Sequence, residues 1–216
     1  MSKSEHLKIN EIFYSVQGES TRIGLPTIFI RLTGCPMRCV YCDTAYAFHD
    51  GRNYTFEQIF EEIKQYDTKF VTVTGGEPLA QKACFDFINQ LSDMGYQVSI
   101  ETGGAVSIEN IDPRAKIILD IKTPGSGEIK NYDWNNLAFI KPDDEIKIVI
   151  TNQDDYEWAK TIILKENLAN KAEILLSPVY GQVNPEDLAS WILKDRLRVR
   201  LQLQLHKVIW GDKKGV

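Results

Sequence analysis

Short runs rich in Val and Ile alternate along the chain with amphipathic stretches. The runs predict strands over residues 27–33, 69–74, 97–101, 116–121, 145–151, 172–177 and 199–205. Most do not alternate strictly, as expected of strands covered on both faces. The last does, and its alternation puts Val199, Leu201, Leu203 and Leu205 on one face. Helices are predicted over 55–65, 79–94, 154–166 and 185–194. The first opens with a capping-box pair, Thr55 and Gln58, and the second stops at Gly95, a C′ glycine. The third follows Asn152, a capping residue, and the fourth starts at Pro185 behind Asn184. Strands alternating with helices imply right-handed crossovers and a mainly parallel sheet. Segments 102–114 and 123–144, broken by Gly and Pro, carry little helix signal. The expected class is therefore α/β, an incomplete, curved (β/α)-type barrel with some helices missing. In such folds ligands gather at the C-terminal ends of the strands.

Composition narrows the classes. A length of 216 residues suits one domain over 1–216. A net charge of −5 argues against a large nucleic-acid or anionic-membrane surface. No apolar run approaches the roughly 20 residues of a membrane span, and residues 1–10 are too polar for a signal-peptide core. A cytoplasmic protein with neither nucleic-acid nor membrane partners is expected. In a reducing compartment, clustered cysteines read as metal ligands rather than disulfides.

Three of the four cysteines stand in RLTGCPMRCVYCDT, as Cys35-x3-Cys39-x2-Cys42. Thiolates bind iron and zinc tightly. Three on one loop can cap three irons of a cubane [4Fe-4S] cluster and leave the fourth iron open to chelate S-adenosylmethionine (SAM). Gly34 and Pro36 tighten the loop, and Tyr41 could shield the cluster. The competing reading is structural zinc with His49 or Cys84 as fourth ligand. Such sites usually pair two short spacings, and the second pair is absent here. Cys84 lies mid-helix beside Phe87, Ile88 and Leu91, as a core cysteine would.

Thr74-Gly75-Gly76-Glu77-Pro78 follows the strand KFVTV. Its glycines allow backbone to approach a ligand, and Glu77 offers an acceptor for an ammonium. By itself it is equally a strand-to-helix turn. Together with the cysteine spacing, however, it resembles the radical SAM superfamily. FYSVQGES, the cysteine loop, VTGGEP, IETGG, IKTPGSG and QLHKVIWG together resemble the 7-carboxy-7-deazaguanine synthase family, from about Asn10 to the C-terminus.

That resemblance implies a trimmed radical SAM barrel, a lyase acting on 6-carboxy-5,6,7,8-tetrahydropterin, a homodimer, Mg2+, and a reductant such as flavodoxin or ferredoxin. It implies pterin contacts at Val16, Gln17 and Gly18, with Glu19 beside them, and at Thr74. It makes Arg31 the partner of the substrate carboxylate, a task suited to its planar fork. The competing reading of Arg31 is a strand residue facing solvent, but its place in an otherwise apolar strand three residues before the cysteine loop favours function. Tyr41, Cys42, Asp43, Gly76 and Glu77 match SAM contacts, and Thr44 a Mg2+ ligand. Glu101, with Thr102, suits ribose hydroxyls, and Lys122 matches a basic residue near SAM. Where the family often has Ser-Pro-Lys, this chain has Asp120-Ile121-Lys122. Asp120, Ile121 and Ser177 are assigned to the cofactor by position alone. His206, expected at the end of the alternating strand, is a substrate-contact candidate.

A second enzymatic reading is a glycyl-radical activase acting on a protein partner, which would share the cysteine loop. The QGE segment and Arg31 favour a small anionic substrate, and the one further cysteine, Cys84, cannot hold an extra cluster.

Overall fold

The computed structural model describes residues 5–216. A nine-stranded sheet runs through them in the order β3-β1-β2-β4-β5-β6-β7-β8-β9. Its strands are β1 His6–Val16, β2 Pro26–Leu32, β3 Arg52–Thr55, β4 Phe70–Gly75, β5 Gln97–Thr102, β6 Lys116–Ile121, β7 Glu145–Ile150, β8 Glu173–Pro178 and β9 Arg200–Leu201. From β2 to β9 neighbouring strands are parallel, and β1 pairs antiparallel with β2 and β3. The helices are α1 Phe56–Ile63, α2 Ala83–Asp93, α3 Gln153–Lys165, α4 Pro185–Asp195 and α5 Leu205–Trp210. No described helix is long and apolar enough to cross a membrane.

The caps fall where the sequence puts them. Thr55 and Gln58 form a reciprocal capping box on α1, while Asn152 and Asn184 accept the first free amides of α3 and α4. Gly95 takes a positive φ of 83° behind α2, which only glycine adopts cheaply. Between β5 and β6 there is no helix, and between β6 and β7 only short 3-10 turns. The barrel is thus incomplete, as expected.

One face of each parallel strand builds the apolar core. Ile28, Ile30, Val71, Val73, Val98, Ile100, Ile117, Leu119, Ile146, Ile148, Ile174 and Leu176 all belong to it. The alternate positions are Arg31, Thr72, Thr74, Ser99, Glu101, Asp120, Lys147 and Ser177. Period-two geometry sends these to the opposite, concave face. Cross-strand bonds join them, from Thr72 to Ser99 at 2.9 Å and from Thr74 to Glu101 at 3.0 Å. Residues 17–21 reach across this face from the end of β1. Gln17 donates to Thr72 at 3.1 Å, and Thr21 N–H donates to Glu145 at 3.0 Å. Because β1 is antiparallel, this segment forms the floor and leaves the C-terminal strand ends open.

β1, β3, α5 and segment 199–205 depart from the sequence reading, and α2 starts at Ala83 rather than at Leu79. The hydrophobic pattern predicts no strand at β1, because a register shift between Ile9 and Glu11 interrupts it. A bulge flips the buried phase, so Leu7 and Ile9 fall out of step with residues 11–16. Segment 199–205 forms only the two-residue β9, and the alternating face is not buried as a unit, although Val199 packs on the core. Leu201 and Leu203 are exposed while Gln202 is buried. At the open edge of the sheet no layer covers the leucine face, and the chain turns into α5 at Leu205.

Candidate active site

The C-terminal ends of the strands surround a cavity of about 560 Å³. Every residue assigned above to metal, cofactor or substrate lines it, apart from Ile121. Ile121 is fully buried in the core, one position out of phase with Asp120. Its side chain therefore does not reach the cavity: a strand residue beside a site residue points to the other face.

Cys35, Cys39 and Cys42 lie on the loop after β2, half-buried and free of disulfides. Burial pushes the Cys39 thiol up to about 11, and burial raises Cys35 too. Among the described residues, no three His, Cys, Asp or Glu side chains are placed to share one metal ion. Cys84 is fully buried in the core and His49 is exposed, so neither completes a zinc site. Three separated thiols around one cavity fit a cubane, where each sulfur meets a different iron.

The GGEP turn passes directly against this loop. Glu77 N–H donates to the Gly34 carbonyl at 2.8 Å, and Gly76 N–H to that of Leu32 at 3.2 Å. A Cβ on Gly76 would lie 2.2 Å from the Gly34 oxygen, so no other residue fits. Glu77 itself is buried, and its carboxylate accepts from Thr102 Oγ1, Gly103 N–H and Leu79 N–H. Three donor hydrogens leave part of the carboxylate's acceptor capacity free, and Glu77 lines the cavity. Glu77 therefore braces the turn and still offers an acceptor toward an ammonium.

Beside the cysteine loop stand Asp120 and Lys122, paired at 3.0 Å. Burial works against the Lys122 charge, but Asp120 and Tyr41 outweigh it and raise its pKa. The Tyr41 hydroxyl and Asp120 Oδ1 are buried without a hydrogen-bond partner. Orphaned polar atoms of this kind cost stability until a polar ligand or water meets them. SAM, with its ribose and amino-acid groups, has the chemistry to do so.

On the other side, Arg31 Nε and Tyr46 Oη both donate to Glu11 Oε1 at 2.7 Å. The guanidinium lies 5.7 Å from the Phe13 ring centroid and 5.9 Å from that of Tyr46. With Nε held, the two terminal nitrogens have no partner among the described residues and present a fork. The floor carries Gln17, Gly18 and Glu19. His206 packs on Gly18, where a Cβ would lie 2.1 Å from its Nδ1. His206 thus reaches the cavity from the first turn of α5, not from a strand end. Its burial lowers its pKa, favouring the neutral ring. Thr44 precedes a 3-10 turn without capping it, and its hydroxyl lies 3.7 Å from Cys42 Sγ.

Sequence reasoning missed Lys147, which lines the cavity and pairs with Glu19. Its signal was present: like Arg31, it is a lone cation in an apolar strand, EIKIVI. Burial alone would raise the Glu19 pKa, but the Lys147 ammonium holds it below the usual carboxylate range. Glu101 makes no ion pair among the described residues, and burial raises its pKa. Residues 212–216 also line the cavity, which no local pattern announced.

Residues 29–123 match the Radical SAM superfamily. Over its full length the chain is 45% identical to the 7-carboxy-7-deazaguanine synthase of Chlorobaculum tepidum, covering all of that protein. It is 40% identical to the enzyme of that name from Koribacter versatilis, covering 97% of this chain and all of the relative. The fold superimposes on the crystal structure of QueE from Escherichia coli with a TM-score of 0.74 at 24% identity, over 92% of this chain and 94% of that one. A cavity whose three thiols suit a cluster, joined to full-length identity at this level, leads to one conclusion: the chain belongs to the 7-carboxy-7-deazaguanine synthase family of radical SAM enzymes.

Proposed function

We propose that this chain is a single-domain radical SAM lyase that converts 6-carboxy-5,6,7,8-tetrahydropterin to 7-carboxy-7-deazaguanine with loss of ammonia, serving queuosine and related 7-deazapurine synthesis. The observation that carries the reading is the joining, in one cavity, of three thiols with an arginine fork and a polar floor. When bound, a [4Fe-4S] cluster on Cys35, Cys39 and Cys42 supplies the electron that cleaves SAM to the 5′-deoxyadenosyl radical. The rest falls to the protein. The GGEP turn and the Tyr41, Asp120 and Lys122 group hold SAM against the loop. Arg31 orients the pterin through its carboxylate, with Gln17, Glu19, Thr74 and His206 beneath and beside it. Fixing one pterin C–H toward the radical and excluding water are the catalytic tasks left to these residues. Thr44 offers Mg2+ one hard oxygen, and Mg2+ there would orient the substrate. The activase reading is not favoured by a cavity of small-molecule size.

Incubating the anaerobically reconstituted protein with SAM, dithionite and the carboxypterin should yield 5′-deoxyadenosine and the deazaguanine acid by mass. SAM cleavage with no pterin-derived product would overturn the substrate assignment. Flavodoxin or ferredoxin replacing dithionite, and a dimer in solution, belong to the same proposal and are read in the same preparation. So does a cytoplasmic location, which fractionation reads.

Two substitutions separate the binding roles. Arg31→Lys keeps the charge but loses the fork, and pterin binding should weaken by about 1–3 kcal/mol with SAM affinity unchanged. Equal loss of both ligands in titrations would point to a damaged site instead. Thr44→Val should leave iron content and SAM binding intact, lower turnover partially, and blunt its response to added Mg2+. Superimposable turnover curves against Mg2+ for the two proteins would remove Thr44 from the metal site.

A further inference from the structure

Segment 123–128, Thr-Pro-Gly-Ser-Gly-Glu, lines no part of the cavity. It is nonetheless held in a defined way. Asp155, buried in the first turn of α3, accepts from Thr123 Oγ1 at 2.8 Å, Gly125 N–H at 2.8 Å and Thr151 N–H at 3.2 Å. A Cβ on Gly125 would fall 2.3 Å from Asp155 Oδ2, so the anchor requires glycine there. Ser126 Oγ then donates to the Thr123 carbonyl at 2.6 Å and accepts Glu128 N–H at 3.1 Å.

The outcome is a pair of acceptors set against the cysteine loop. Glu128 Oε1 takes the Arg38 N–H at 2.7 Å, and the Ser126 carbonyl takes the Val40 N–H at 3.1 Å. Arg38 and Val40 flank Cys39 on either side. The backbone on both sides of Cys39 is therefore tied to segment 123–128. Glu128 is buried and also accepts from Asn131 Nδ2, so its carboxylate is fixed in place.

We propose that Glu128, anchored through segment 123–128 to Asp155, is a positioning residue that fixes Cys39 for the cluster. This rests on the assignment of Cys35, Cys39 and Cys42 as cluster ligands. Partners one shell beyond a metal ligand orient it, and their loss typically costs about 10–100-fold in metal affinity. The same partners also tune the metal they surround.

The test compares wild type, Glu128→Ala and Glu128→Gln. Three quantities are read: hydrogen exchange of the Arg38 amide in apoprotein, iron release from reconstituted holoprotein to a chelator, and the cluster midpoint potential by EPR titration. Alanine should abolish the Arg38 protection, speed iron release by about 10-fold and shift the potential. Glutamine keeps an acceptor oxygen and should restore all three. Should the alanine protein fail to fold by circular dichroism, Glu128→Asp takes its place, with the same order of effects expected. Unchanged iron release and potential in Glu128→Ala overturn the proposal alone. Equal shifts in Ala and Gln variants also overturn it, since charge and not the hydrogen bond would then be acting. Wild-type protein that loads no cluster overturns the cluster assignment first, and the proposal with it.

Discussion

Cys39→Ala protein is expected to fold and to bind no four-iron cluster, with 5′-deoxyadenosine formation falling to background. Cys39 is half-buried on a loop outside the apolar core, so its loss removes little packing. A cubane held by two thiolates has two open irons and no third anchor, and no neighbouring cysteine can substitute. The fourth cysteine, Cys84, is fully buried in α2, where burial raises its pKa and keeps it a thiol. Cys84→Ala should therefore load iron fully and cost about 1 kcal/mol of stability, as a small core truncation does. Iron and sulfide per chain, the EPR spectrum of the reduced protein and SAM cleavage are the readouts. Full iron loading in Cys39→Ala, or lost loading in a folded Cys84→Ala, would sink the ligand assignment.

Lys147→Met should destabilise the apoprotein by about 3–5 kcal/mol at pH 7, the range for removing one member of a buried ion pair. The side chains of Lys147 and Glu19 are only 14% and 10% exposed, so solvent screens the pair little. Without the ammonium, Glu19 and Glu101 would share the floor as two carboxylates with no cation between them. The pH dependence is set by the directions of shift. Glu19 has a folded pKa below its ordinary 4.5, so its pairing adds stability above pH 4.5 and loses it as pH falls through the folded value. Glu101 is raised above 4.5, so it costs nothing below that pH and an increasing amount above it. The Lys147 pKa is raised above 10.5, so its contribution is complete at neutral pH and is lost only in strong base. The gap between Lys147→Met and wild type should therefore be largest near neutrality and shrink below pH 4.5. Urea denaturation at pH 7 and pH 4 measures it. A difference under about 1 kcal/mol at pH 7, or one independent of pH, would show that the pair contributes nothing specific.

The site was legible where chemistry is concentrated in a short stretch. Cys35, Cys39, Cys42 and the GGEP turn are each local patterns, and both fall at strand ends as the barrel expectation required. Arg31 stood out because a charge inside an apolar strand must be explained. The same reasoning applied to Lys147 would have found it. What the strand pattern did not deliver was facing. Asp120 and Ile121 are adjacent in sequence, yet one lines the cavity and the other sits in the core. When both faces of a strand are covered, hydrophobicity no longer distinguishes them. Glu77 shows a further limit: its residue type promised an acceptor, and only the positions of Thr102 and Gly103 reveal that it also braces the turn.

Local sequence alone determined the helix caps, the parallel strand–helix alternation, the two helix-poor crossovers and the cysteine loop, because each depends on residues within a few positions of one another. Tertiary structure alone decided the rest. The bulge in β1 and the open edge at β9 changed which side chains are buried, and both depend on neighbours distant in sequence. The Glu19–Lys147 pair, the Glu11–Arg31–Tyr46 cluster and the Glu128–Arg38 bond join residues many positions apart. Charges and amides of this kind declare a need for partners in the sequence, and only the folded sheet brings the partners within the few ångströms over which hydrogen bonds act.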